Sequence, residues 1–102
     1  MEEVVILSAK RTPIGKLGGD LAGASAVDLG VAAAQAAIKA ARIDPALLNQ
    51  AIFGNVMQAG SGQNVARQIG LKSGMVTSST AMTVNEVCGS GLKAVRLLSL
   101  IH

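Results

Sequence analysis

Residues 81–95 read AMTVNEVCGSGLKAV. A short β-prone run leads into a polar junction. The chain's one cysteine follows, then two glycines about a serine, then helix formers with apolar residues at helical spacing. The stretch predicts a strand over 80–84, a tight junction carrying Cys88, and a helix over 89–101. Val95 and Leu98 mark the centre line of that helix, flanked by Leu92, Ala94, Leu97 and Ile101. Its only charges are Lys93 and Arg96, so most of it is expected to be buried, against a partner surface if necessary.

The same alternation of signals runs back to the start. AIFGNVM (51–57) predicts a strand and QAGSGQN a loop, with Asn64 capping a helix that ends near Gly70 or Gly74. SAVDLGVAAAQAAIKAAR (25–42) is an amphipathic helix opened by a Ser25/Asp28 capping box. Gly30 within it implies a close neighbouring backbone. Asp44-Pro45 is a cap followed by a first-turn proline, good for one helical turn through Leu48. VVILSA (4–9) has the composition of a strand buried on both faces, and Pro13, Gly15, Gly18 and Gly19 mark the loop after it. The order strand, helix, strand, helix, strand, helix predicts an α/β fold with a largely parallel three-stranded sheet and flanking helices.

Composition narrows the function classes. The 102 residues are half apolar, with Phe53 the only aromatic and a net charge of +3 that is not gathered into a stripe. A nucleic-acid surface usually needs both a basic stripe and stacking aromatics, so nucleic acid is not an expected partner. One cysteine forms no internal disulfide, and with the single His102 it makes no metal site. MEEVVILSAKRTP is neither a secretion signal nor a spanning helix, so a cytoplasmic protein without a membrane segment is expected.

Cys88 has two readings. At a strand-to-helix junction it is placed as a nucleophile, because first-turn N–H groups favour a thiolate and stabilise an oxygen that turns negative. Gly89 and Gly91 would let the helix start tightly and a substrate approach. Alternatively it is a small buried core residue. A nucleophile needs a base, and His102 lies about 20 Å farther along a helix axis. Glu86 is expected to point away or to form an ion pair, since a carboxylate beside a thiolate disfavours it. GKLGG (15–19) lacks the residues of a phosphate loop and reads as a turn. Asn55, Gln58, Gln63 and Asn64 line a pocket or interface, or else satisfy their own turns. Met57, Met75 and Met82 read as core filler.

Four segments together resemble the amino-terminal part of the thiolase family, in its biosynthetic acetyl-CoA acetyltransferase branch: VVILSAKRTPIGKLGG (4–19), AVDLG (26–30), IFGNVMQAGSGQNVARQ (52–68) and AMTVNEVCGSGLKAV (81–95). The resemblance runs nearly end to end. It implies that Cys88 is the acylated catalytic nucleophile, and that residues 1–102 form the amino-terminal part of the first thiolase-like α/β domain, cut in or after the nucleophile helix. It also implies condensation of two acetyl-CoA molecules to acetoacetyl-CoA and CoA without metal or redox cofactor, coenzyme A thioesters being substrates. A homodimer or homotetramer is implied as well, with the loop from Gln58 to Gln68 at the subunit contact.

Val65 departs from the family's proline there, and VTSST (76–80) replaces another proline-containing stretch. The family's histidine and second cysteine have no counterpart, so the chain alone is expected to be inactive. Two other readings stay open: a degradative 3-ketoacyl-CoA thiolase fragment, and a non-catalytic α/β interaction module with a buried cysteine.

Overall fold

The computed structural model describes residues 3–101. Helix α1 spans Ala26–Ala41, a 3-10 turn Pro45–Leu47, strand β1 Gln50–Gly54, helix α2 Val65–Lys72, strand β2 Thr80–Val84 and helix α3 Ser90–Ile101. β1 and β2 are parallel, in register from Gln50 opposite Thr80 to Gly54 opposite Val84. A parallel pair needs a crossover, and α2 supplies it.

The local signals fold as their chemistry dictates. The Ser25 hydroxyl accepts the Asp28 N–H, and the Asp28 carboxylate accepts the Ser25 N–H, each at 3.0 Å. Arg42 ends α1 in a left-handed conformation, φ 56°, its N–H reaching the carbonyls of Ile38 and Lys39. Asp44 caps the 3-10 turn through the Ala46 N–H at 3.0 Å. Asn64, itself left-handed at φ 43°, caps α2 by accepting the Arg67 N–H at 3.2 Å. It also donates to the Ala81 carbonyl at 3.2 Å and accepts the Thr83 hydroxyl at 2.8 Å. Thr83 in turn accepts the Ala66 N–H at 2.9 Å. This latch ties the start of α2 to β2 a few residues ahead of the cysteine.

The Asp28 carboxyl is held below its ordinary value of 3.8, first by the Ser25 N–H, then by the Ser25 hydroxyl, with Lys72 assisting and slight desolvation opposing. A depressed carboxyl stabilises the fold above its unfolded value, and that contribution disappears as pH falls through the folded value. Acid titration of helicity by circular dichroism is therefore expected to show α1 loosening below pH 3.8. In Asp28→Asn that component should be absent, leaving a constant, smaller capping contribution. An identical acid limb in both chains would remove Asp28 from the account.

The core is the seam between α1 and α2. Val27, Val65 and Ile69 are buried together, with Val31, Ala34 and Phe53 packed on them. The close neighbour at Gly30 is a side chain rather than backbone: Ile69 fills the space a Cβ there would take. Met75 is buried as expected, but Met57 is 81% exposed and Met82 lies at the surface, so neither is core filler.

Two expectations are corrected. Residues 4–9 form no strand, and the sheet has two strands among the described residues. An extended segment must find a ladder partner for its backbone, and apolar composition cannot supply one. Here the segment is tied by its side chain, Ser8 Oγ donating to the Ala37 carbonyl at 2.6 Å, and Ile6 is 80% exposed. β1 instead lines an apolar groove of about 600 Å³, bounded by Ile38 of α1 and by Val95 and Leu98 of α3. The second correction follows from the first. With two strands beneath it, α3 buries Ala94, while Leu92 and Val95 lie open to solvent. No helix among the described residues is long and apolar enough to cross a membrane.

Candidate active site

β2 ends at Val84, α3 begins at Ser90, and the five residues between form a double turn that presents Cys88. The Gly89 N–H reaches the Glu86 carbonyl at 3.0 Å and the Ser90 N–H the Val87 carbonyl at 3.2 Å. Between these bonds Val87 adopts φ 51°, a left-handed conformation that is costly for a β-branched residue. Its N–H is held by the Asn85 side-chain oxygen at 3.0 Å. The other Asn85 group, the amide nitrogen, donates to the Val56 carbonyl at 3.4 Å, linking the elbow to the loop after β1.

Cys88 is exposed and so is not packed as a core residue. It precedes the first residue of α3 by two positions. The amides of Gly91 and Leu92 find no acceptor among the described residues. Unsatisfied first-turn N–H groups and the positive end of the helix dipole favour negative charge near a helix start. A Cβ added at Gly91 would meet nothing within 4 Å, and one at Gly89 only the Glu86 carbonyl at 3.5 Å. The two motif glycines therefore leave open space around the cysteine, as an approaching substrate requires.

Glu86 is turned away into an ion pair with Lys93 at 3.2 Å. Both partners are well exposed, so the pair contributes little to stability. Its effect is to occupy the carboxylate nearest in sequence to the thiol.

The other candidates resolve as structural groups. GKLGG is a turn closed by the Gly19 N–H on the Lys16 carbonyl at 2.9 Å, with Gly18 at φ 70°. In the loop after β1, Gln58 donates to the Asn55 carbonyl at 2.9 Å. Gln68 donates to the carbonyls of Ser61 at 2.8 Å and Gln63 at 2.9 Å. The Gln58 and Gln68 amides thus tie the loop's own carbonyls, while Asn55 Nδ2 is buried without a hydrogen-bond partner among the described residues. Val65, where the family carries proline, is 3% exposed and belongs to the core seam. His102 lies outside the described residues. Among the described residues no group of three or more His, Cys, Asp or Glu stands ready to hold a metal ion.

Three features of the site escaped the sequence. Gly54, at the end of β1, meets the start of α3 backbone to backbone: an added Cβ would stand 2.5 Å from the Ser90 carbonyl carbon and 2.7 Å from the Gly91 nitrogen. A glycine inside a strand pattern is the available signal for such an approach. Ser90, 4% exposed, bonds backward into the elbow. Arg67 anchors the loop ahead of β2, donating to the carbonyls of Ser79 at 2.7 Å and Thr77 at 2.8 Å. No local pattern announces either of these two.

A family model described as "Thiolase, N-terminal domain" matches residues 4–99. An acetyl-CoA acetyltransferase of Clostridioides difficile is 52% identical over 98 residues, covering 96% of this chain and 92% of that protein. One from Escherichia coli K12 is 54% identical over 97 residues, covering 95% of this chain but 25% of its own length. Among solved structures, the Acat5 thiolase of Ascaris suum in complex with coenzyme A superposes with a TM-score of 0.91 at 43% identity, over 93% of this chain and 25% of that one. Acetyl-CoA acetyltransferase from Syntrophomonas wolfei superposes with a TM-score of 0.90 at 37% identity, over 94% and 24% respectively. The chain thus spans about a quarter of the length of most of these proteins.

Proposed function

Because the chain belongs to the thiolase family, we propose that Cys88 is the nucleophile of an acetyl-CoA acetyltransferase and that this chain carries the first half of the reaction. The observation that carries the reading is the exposed thiol at the start of α3, with open space at Gly91 and amides free of acceptors beside it. The Cys88 thiolate attacks the carbonyl carbon of acetyl-CoA and the carbonyl oxygen becomes negative. That intermediate collapses with cleavage of the bond to coenzyme A sulfur. CoA leaves as a thiolate that takes a proton from water, and the acetyl group remains as a thioester on Cys88. The acetyl-group donor is its own leaving-group carrier, so the step calls on no metal or redox cofactor.

The second half-reaction, in which another acetyl-CoA loses an α-proton and attacks the acetyl-cysteine, needs a positioned base. Residues 3–101 contain no histidine. We therefore assign turnover to segments that the longer relatives carry, and with it the homo-oligomeric assembly through the loop from Gln58 to Gln68. On the same reading the protein works in the cytoplasm on coenzyme A thioesters.

Intact-mass analysis after incubation with acetyl-CoA tests this. One acetyl group per chain is expected, lost in Cys88→Ala and mapped to Cys88 by peptide analysis. A coupled assay should find no sustained CoA release from the 102-residue chain. Equal acetylation of the Cys88→Ala control would end the nucleophile reading, and sustained Cys88-dependent release would end the inactivity.

A further inference from the structure

We propose that Ser90 is a positioning residue for Cys88: its hydroxyl clamps Val87 in the left-handed turn and thereby fixes the direction in which Cys88 leaves the elbow. The significance of the clamp rests on the acetyl-transfer reading above, but the clamp itself is a property of the turn.

Val87 is the unexpected residue. A β-branched side chain at φ 51° is a true outlier, and such conformations persist only where the surroundings over-determine them. Packing does not hold it, since Val87 is 66% exposed. Hydrogen bonds hold it at both ends. Its N–H donates to Asn85 Oδ1 at 3.0 Å. Its carbonyl accepts both the Ser90 N–H at 3.2 Å and the Ser90 hydroxyl at 2.7 Å.

Ser90 Oγ also accepts the Glu86 N–H at 2.8 Å, so one buried hydroxyl closes the turn on either side of Val87. A serine in the N-cap position spends its oxygen on N–H groups of its own helix, whereas Ser90 is already the first residue inside α3. It bonds backward into the elbow and leaves the Gly91 and Leu92 amides free. The serine between the two motif glycines thus serves the conformation of the residue before the cysteine.

Without the hydroxyl, the Glu86 N–H loses its partner and Val87 can relax toward negative φ, turning Cys88 with it. Glycine at position 87 adopts positive φ freely. A glycine there should make the clamp dispensable, which separates positioning from a general structural role.

The test compares wild type, Ser90→Ala, Val87→Gly and the double variant. The readouts are the intraresidue HN–Hα nuclear Overhauser effect at residue 87, strong only at positive φ, and the rates of Cys88 acetylation by acetyl-CoA and alkylation by iodoacetamide. In Ser90→Ala the strong effect at Val87 should vanish. Acetylation should slow roughly tenfold, in proportion to the fraction of chains in the competent turn. Alkylation, which needs no defined approach, should change less than about threefold, and the double variant should recover most of the acetylation rate.

A Val87 that keeps positive φ in Ser90→Ala overturns the proposal, as does a double variant no faster than the single one. If Ser90→Ala fails to fold, refolding of the double variant upholds the clamp, and failure of both overturns it. A wild-type chain that takes up no acetyl group removes the proposed function, and the Overhauser effect then judges the clamp alone.

Discussion

Ile69→Ala is expected to shift the urea midpoint of the chain far toward zero, with a loss of about 3–4 kcal/mol. Ile69 is 2% exposed and sits where α1, α2 and β1 converge, touching Val27, Val65 and Phe53 and filling the notch left by Gly30. Truncating it removes transfer energy and opens a cavity that cannot collapse readily, because the notch at Gly30 is shaped to a large side chain. Small domains hold about 5–15 kcal/mol of stability, and a chain of this length belongs at the lower end, so the loss consumes most of what is available. Ile69→Val keeps the shape of the contact and should cost about 1 kcal/mol. Denaturation monitored by circular dichroism measures both. An alanine variant losing less than about 1 kcal/mol would place the stability outside the α1–α2 seam.

What could be read in advance divides along a physical line. Features encoded within a few residues were legible: the Ser25/Asp28 box, the Asp44-Pro45 turn, the Asn64 cap, strand β2 and the cysteine junction. The caps, the turn and the junction are hydrogen-bond arrangements whose donors and acceptors lie within a turn of one another, and β2 is marked by its short β-prone run although its ladder partner is β1. Features that depend on a remote partner were not. VVILSA reads as a strand from composition, yet its pairing depends on a neighbour distant in the chain, and the structure leaves it beside the groove of β1. The solvent-facing Leu92 and Val95 make the same point, since helical periodicity says which residues share a face but not what covers it. The site divides likewise. Cys88 and its flanking glycines were visible, while Gly54 matters through a contact with Ser90 and Gly91 and Arg67 through carbonyls of the loop ahead of β2, beyond its own helix.

Gly54→Ala and Gly91→Ala are the same chemical change on two sides of one contact, and opposite results are expected. At Gly54 the new methyl would stand 2.5 Å from the Ser90 carbonyl carbon and 2.7 Å from the Gly91 nitrogen, all backbone, which no rotamer change relieves. The end of β1 and the start of α3 must part. Overpacking of this kind costs about 3 kcal/mol. The displacement falls on Ser90, the residue whose hydroxyl closes the turn before Cys88. Amide shifts of residues 86–91 should therefore move together, and Cys88 acetylation should fall by at least about tenfold even at temperatures where the chain stays folded. At Gly91 the added methyl meets nothing within 4 Å, and exchanging glycine for alanine near the start of a helix should be neutral or stabilising by up to about 1 kcal/mol. Thermal melts and two-dimensional NMR of the two variants read the contrast directly. If Gly54→Ala melts with Gly91→Ala and leaves the elbow shifts in place, the backbone contact between β1 and α3 does not hold Cys88, and the cysteine is aimed by the turn alone.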